Sequence, residues 1–141
     1  MIELNRFIEA QKSSMKTVFE ELSVRKKTTH WMWFIFPQLK GLGHSFMSDY
    51  YGLNSVEDAK EYLKNPILRE NMTKCVSIVG EYENTDELLN CFGDLDAKKL
   101  HSCLSLFYMA TKSDLFKNPI NKFFGGVLDD KTISLLKGEE L

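Results

Sequence analysis

The residues best suited to chemistry lie between positions 25 and 45, in the stretch RKKTTHWMWFIFPQLKGLGHS. Phosphate groups need cations and exposed backbone N–H groups, which Lys26, Lys27 and the glycine-bearing segment 40–45 supply. Purine or nicotinamide rings need flat apolar partners, and stacking on such a partner is worth ~1–3 kcal/mol. The two tryptophans and two phenylalanines of residues 31–36 offer those surfaces. This combination predicts a site for a phosphorylated ligand that carries a ring.

Polar side chains near the aromatic residues extend the predicted site. Gln38 is an amide that can contact a base edge or a ribose, and His30 is a donor or acceptor near neutral pH. Lys99 and Ser102 are three residues apart, so one helix face presents a second cation and a hydroxyl. The predicted ligand-binding residues are Lys26, Lys27, His30, Trp31, Trp33, Phe36, Gln38, Gly41, Gly43, Ser45, Lys99 and Ser102.

A purely structural interpretation of the same residues stays open. Large aromatic side chains are usually buried, so the aromatic run can also be core. The basic residues 25–27 directly follow a predicted helix, whose C-terminus favours cations. A site is favoured by the proximity of Lys26, Lys27, His30 and Gln38, which a core segment does not need.

Other kinds of site find little support. The three histidines are dispersed, no Cys-x-x-Cys or His-Glu-x-x-His motif occurs, and we expect neither a metal nor a cofactor. No Walker A or Gly-x-Ser-x-Gly motif is found, and Gly41-x-Gly43 alone is a weak phosphate signature. The three cysteines have no close pairs, which favours reduced thiols, and Cys103 lies on an apolar helical stripe typical of a buried residue.

Composition narrows the choice of partners. The 141 residues predict one domain, 1–141, and the net charge of −2 argues against a nucleic acid polymer as the partner. The longest apolar run, residues 31–36, is too short to cross a bilayer, and no signal peptide is evident. We therefore expect a cytoplasmic protein with no membrane partner, and a homo-oligomer remains open.

Periodicity and cap residues predict an all-α fold of seven or eight short helices. Apolar residues from Leu4 to Leu22 follow helical spacing. Further helices are predicted at 56–64 after Ser55, at 66–80 after Asn65-Pro66, and at 85–90 and from 96 onward with Thr85 and Asp96 as caps. Asn118-Pro119 predicts another start, ended by Gly125-Gly126, and Asp129 or Asp130 opens the last helix, to Leu136. Residues 31–36 are apolar throughout, so periodicity does not assign them, and no alternating strand pattern is found elsewhere.

The sequence resembles the domain-of-unknown-function 1810 family. The resemblance begins with RF..AQ at residues 6–11 and continues through HWMWFIFPQ at 30–38, Gly41-Leu42-Gly43, and Phe124-Gly125-Gly126. The resemblance implies a compact helical fold, but it does not indicate any particular activity. Two positions depart from the family pattern. Arg25 replaces the glycine that usually precedes the basic pair, which adds a cation, and Ser102-Cys103-Leu104 replaces Ser-Ser-Met, which removes a hydroxyl.

Three functions are compatible with these residues. The first is binding of a phosphorylated nucleotide-type small molecule, with an NAD-derived or ADP-ribose-like signal as first choice. In a viral protein, sequestering such a signal from host defence needs no catalytic group. The second is cleavage of an N-glycosidic bond in an ADP-ribosyl compound, with His30 as acid–base and Asp96 or Glu57 stabilising the transition state. The third is a protein-interaction module that docks through the exposed Trp31-Met32-Trp33 surface.

Overall fold

The computed structural model describes residues 2–138, which form helices and no strands. The helices are α1 (Asn5–Val24), α2 (Met32–Ile35), α3 (Phe46–Tyr51), α4 (Val56–Lys64), α5 (Pro66–Gly80), α6 (Thr85–Thr111), α7 (Asp114–Phe123) and α8 (Asp130–Leu136). The predicted all-α class is confirmed, and α1 ends directly before the basic residues 25–27, as predicted.

Several helices begin where the sequence predicts. Ser55 caps α4 by accepting from the Asp58 N–H at 3.1 Å, and the Asn65 side chain caps α5 by accepting from Ile67 and Leu68. Asp129 caps α8 through the Thr132 N–H. Short polar side chains at these positions satisfy N–H groups that have no partner within the helix.

Helix α6 consists of two helical segments that meet at a break, in agreement with the two helices predicted for this region. Its cap is Asn84 rather than Thr85, whose hydroxyl instead donates to the Phe123 carbonyl. The two segments meet at Gly93, where φ is +78°, so the second segment begins before Asp96 and Asp96 is not its cap. Glycine is suited to this break because it adopts positive φ without a steric cost.

The start predicted at Asn118-Pro119 is wrong. Helix α7 begins at Asp114 after the Ser113 cap, and Pro119 lies within it. Helix α7 lacks one backbone hydrogen bond as a result, and burial of Phe116, Ile120 and Phe123 compensates for it.

Two loops next to α6 are held by short backbone contacts. The segment after α2 pairs with the segment before α4, since Leu53 donates to the Gln38 carbonyl at 3.0 Å and Lys40 donates to the Leu53 carbonyl at 2.8 Å. Gly52 makes this approach feasible, because a Cβ there would lie 2.8 Å from the Lys40 Cα. The loop after α2 is thereby fixed beside the second half of α6.

The three cysteines are buried and free. Burial raises the pKa of the Cys75 thiol to about 12 and raises that of Cys103 as well. A thiol of raised pKa is a poor nucleophile. Cys103 is therefore a core residue, as its position on the apolar stripe predicted. Within residues 2–138, no helix has the length and apolar character needed to cross a membrane.

Candidate functional site

The chain that follows α1 wraps around one buried carboxylate, and we call residues 25–31 the Glu21 turn. Glu21 is 8% exposed and accepts five hydrogen bonds. Thr28 donates its N–H at 3.0 Å and its hydroxyl at 3.1 Å, Thr29 donates the same groups at 3.2 and 2.7 Å, and the Trp31 indole donates at 2.9 Å. Burial raises the pKa of Glu21, but the bonds from Thr29, Thr28 and Trp31 outweigh it and lower the pKa to about 2. The turn is a structural element organised by one carboxylate.

The ammonium group of Lys27, which was predicted to bind phosphate, is paired inside the fold. The Lys27 side chain is 6% exposed and its Nζ lies 2.8 Å from Asp96 Oδ2. The same Nζ donates to the Thr29 carbonyl at 2.6 Å and lies 4.9 Å from the Trp31 ring centroid. The extra cation Arg25 is likewise paired with Glu87, whereas Lys26 is exposed.

Trp31 and Phe36, whose rings were predicted to stack on a ligand, are buried in the core. They are 2% and 1% exposed, and each ring centroid lies 6.2 Å from that of Phe92. Ring faces covered in this way leave no room for a base. Trp33 is half-buried, and the Nζ of Lys99 lies 5.1 Å from its ring centroid. Burial of Trp31 and Met32 also removes the exposed surface that the interaction-module hypothesis needs.

A groove of about 510 Å³ brings together four predicted residues from distant parts of the chain. We call it the lysine groove. Three segments line it: the loop after α2, the second half of α6, and the loop that leads into α8. Its lining residues are Gln38, Leu42, Gly43, Lys98, Lys99, His101, Ser102, Val127, Leu128, Asp129, Asp130 and Lys131. Of the predicted set, Gln38, Gly43, Lys99 and Ser102 meet there.

Hydrogen bonds to Asp129 fix one wall of the lysine groove. Its Oδ2 accepts from the Ser102 hydroxyl at 3.0 Å and from the Thr132 hydroxyl and N–H at 2.6 and 3.1 Å. The Asp129 N–H donates to the Ser105 hydroxyl at 2.9 Å. The loop leading into α8 is therefore tied to α6, and three donors converge on Oδ2 of this carboxylate.

His101 fixes the neighbouring part of the wall. Its Nε2 lies 2.6 Å from the Val127 carbonyl, so that nitrogen carries the proton and donates. The imidazole stacks on Phe124 with the ring centroids 4.2 Å apart. One face of the ring is thus occupied by the protein.

The remaining polar side chains of the groove form weak internal contacts or none within residues 2–138. Lys98 and Lys131 are exposed and form no ion pair within residues 2–138. Lys99 Nζ lies 3.5 Å from Asp96 Oδ1, longer than a strong charged hydrogen bond. The half-buried Gln38 amide makes no side-chain hydrogen bond in the described part of the chain. These groups can therefore bind a ligand without breaking strong internal contacts.

Gly43 lets the loop pack tightly beside Gln38. A Cβ at this position would lie 2.3 Å from the Ser48 Oγ and 3.6 Å from the Gln38 Nε2. Ser45 caps α3 by accepting from the Ser48 N–H, and Gly41 has φ +103°. Gly41 and Ser45 thus shape the loop, but neither lines the lysine groove.

A family model described as "Protein of unknown function (DUF1810)" matches residues 1–136. The chain belongs to the DUF1810 family. It is similar to the crystal structure of the conserved hypothetical protein Rv1873 from Mycobacterium tuberculosis, with a TM-score of 0.89 and 38% identity over 95% of this chain and 96% of that one. No protein with a curated description matches the chain. The function of this DUF1810 protein must therefore be argued from its own geometry.

The residues considered for glycosidic cleavage are separated in this DUF1810 protein. His30 is exposed beside a small groove with Ser13 and Thr17, whereas Glu57 lines a different groove on α4. Asp96 is paired with Lys27 and Lys99 and lines neither. The described residues also contain no group of three His, Cys, Asp or Glu side chains placed to hold a metal.

Sequence reasoning missed several residues of the lysine groove and of the Glu21 turn. Lys98 and Lys131 had no distinguishing signal among the 18 basic residues. Asp129 was predicted as a cap, but its bond to Ser102, 27 residues away, cannot be read from spacing. Glu21 gave no signal either, although the two threonines and the tryptophan that follow α1 are all hydrogen-bond donors.

Proposed function

We propose that the lysine groove binds a small phosphorylated ligand of nucleotide type, with ADP-ribose-like compounds as the first to test. The observation that carries this proposal is the convergence of Lys98 and Lys99 from α6 with Lys131 from α8 on one groove. Lysine ammonium groups bind phosphate as point charges, and two of these three have no ion-pair partner within residues 2–138.

The charge of the groove favours an anion modestly. Its three lysines face two aspartates, and Asp129 is already engaged by Ser102 and Thr132. Hydrogen bonds do not cancel the charge of Asp129, so the two aspartates balance two lysines and leave one formal positive charge in excess. The surplus suits one or two phosphates better than a polyanion, in keeping with the net charge of −2 for the whole chain.

The size and apolar contacts of the groove suit the rest of such a ligand. A volume of about 510 Å³ lies within the usual range of ligand pockets, roughly 300–1,000 Å³. Leu42, Val127 and Leu128 offer apolar contact for a ring, and the Gln38 amide offers a donor and an acceptor. Because no tryptophan lines the groove, the ring would be held by aliphatic contact and by Gln38 rather than by indole stacking.

Isothermal titration against a graded ligand set tests the proposal. We expect heat from ADP-ribose, cyclic ADP-ribose and AMP, and none from adenosine, because the lysines supply most of the affinity. The variant Lys98→Ala/Lys131→Ala should bind at least about ten-fold more weakly, since a hydrogen bond to a charged group contributes about 1.5–3 kcal/mol. Lys12→Ala/Lys16→Ala is the matched control, because it removes two exposed lysines of α1 that line none of these grooves.

Two results would end the proposal. One is the absence of binding by any of these compounds, or by a cyclic dinucleotide, at high micromolar concentration. The other is equal loss of affinity in the control variant, which would mean that only overall charge matters.

Chromatography of the incubated ligand separates binding from cleavage. We expect intact material, because His30, Asp96 and Glu57 line no common groove. In a viral protein, such binding would withdraw a signal without consuming it.

A further inference from the structure

Helix α3 presents two exposed aromatic rings on its outer face. Phe46 is 76% exposed and Tyr50 is 47% exposed. Their ring centroids lie 5.7 Å apart with an angle of 13° between the planes, so the rings stack. The four-residue spacing places both on one face of the helix. Exposed aromatic side chains that adjoin one another are typical of binding surfaces rather than of inert ones.

The stacked pair is fixed to the core. The Tyr50 ring meets Tyr51 edge-on at 4.8 Å, and Tyr51 in turn contacts Phe7 at 5.6 Å and Phe34 at 5.4 Å. Arg6 donates its Nε–H to the Tyr50 carbonyl at 2.7 Å. A surface held in this way loses little conformational freedom when it binds a partner.

Three exposed carboxylates lie on the Tyr50 side of the pair. Glu3 and Glu9 line a groove of about 660 Å³ that Tyr50 also lines, and Asp49 precedes Tyr50 on α3. None of the three forms an ion pair within residues 2–138. The nearby cation, Arg6, lies over the Phe7 ring at 4.5 Å and is bonded to backbone carbonyls. The surface therefore carries more negative than positive charge.

We infer that this surface, formed by Phe46, Tyr50, Glu3, Glu9 and Asp49 and named the aromatic patch, docks a basic peptide segment of a partner protein. Arginine or lysine side chains would lie over the open ring faces and meet the carboxylates at the edge, which pairs cation–π attraction with opposite charge. This site is separate from the lysine groove, with which it shares no lining residue. It also moves the interaction surface from residues 31–33, of which Trp31 and Met32 are buried, to α3.

Fluorescence anisotropy with a dye-labelled peptide of alternating arginine and glycine tests this inference. We expect saturable binding that weakens with added salt, and no binding of the matching glutamate–glycine peptide. Phe46→Ala/Tyr50→Ala should weaken binding at least about five-fold, since both cation–π contacts are lost. Glu3→Gln/Glu9→Gln/Asp49→Asn should weaken it and flatten the salt dependence.

The controls separate docking from general effects. Leu95→Ala removes another exposed apolar side chain, 75% exposed on α6, and should leave peptide binding unchanged. Circular dichroism should show each variant folded, because the replaced side chains are exposed. Failure to bind the arginine peptide, equal binding of the glutamate peptide, or unchanged affinity in the aromatic variant would overturn the inference. A wild-type dimer in sedimentation that Phe46→Ala/Tyr50→Ala abolishes would also overturn it, in favour of a second copy as the occupant.

Discussion

The Glu21 turn and the lysine groove both contain lysines and hydroxyls near a tryptophan, but they use them in opposite ways. In the turn, five donors converge on one buried carboxylate and Lys27 is paired with Asp96. In the groove, Lys98, Lys131 and Gln38 have no such partners within residues 2–138. The comparison teaches that the types of residue present do not separate a structural cluster from a binding site. What separates them is whether the polar groups are already satisfied.

The largest expected effect is on stability, in the Glu21 turn. Trp31→Ala should lower the free energy of unfolding by about 3–5 kcal/mol, because it empties a buried position and removes a donor to Glu21. Trp33→Ala, at a half-buried position, should cost less. Urea denaturation measures both. Unchanged stability of Trp31→Ala together with lost ligand binding would break the comparison, since Trp31 would then belong to the site.

The charge of Glu21 should make the turn sensitive to acid. Its pKa falls from 4.5 in the unfolded chain to about 2, so its contribution is fully present above about pH 4.5 and is lost as the pH falls toward 2. A shift of that size corresponds to about 3 kcal/mol. Glu21→Gln should therefore be less stable than the wild type at neutral pH, and the two should converge near pH 2. Denaturation across this range measures the difference, and a gap that did not narrow with acid would contradict the assignment.

A smaller effect is expected where the loop of the lysine groove packs on α3. Gly43→Ala should cost about 1–3 kcal/mol and weaken ligand binding, because its Cβ would lie 2.8 Å from the Ser48 Cβ and the loop that lines the groove would have to shift. Gly80→Ala is the matched control, since a Cβ there meets nothing within 4 Å and helix propensity favours alanine. Thermal unfolding and titration measure the two effects. Equal behaviour of the two variants would show that the loop tolerates a larger residue.

The smallest effect on stability is expected within the groove itself. Gln38→Ala should change the free energy of unfolding by less than about 0.5 kcal/mol, because the amide has no hydrogen-bond partner in the described part of the chain. Its ligand affinity should fall about five-fold, the value of one ordinary hydrogen bond. Titration calorimetry and urea denaturation, compared on one preparation, separate these outcomes. A large loss of stability would place Gln38 with the structural residues.

Local signals in the sequence predicted most of the fold. The starts at Ser55, Asn65-Pro66 and Asp129 depend on contacts within three residues, and all three are confirmed. The prediction at Pro119 failed because tertiary burial of α7 outweighs one missing backbone bond. Short α2 and α3 lacked the length that periodicity needs.

The site was predictable only in part, for a related reason. The spacing of Lys99 and Ser102 places them on one helix face, and both line the groove. Whether the Lys27 ammonium group is free or paired depends on Asp96, 69 positions further along the chain, and no local pattern contains that information. Segments that are distant in sequence decide which charges are satisfied, so the groove could be located only once the helices were packed.

The most direct test of this account is an amide NMR titration of isotope-labelled protein with ADP-ribose. We predict saturable shifts at the amides of Gly43, Lys99 and Ser102, which lie at the lysine groove, with Lys26 and His30 unaffected. Shifts confined to Lys26, His30 and their neighbours would place the ligand at the Glu21 turn and contradict the account. The absence of shifts anywhere would contradict the proposal that this ligand binds.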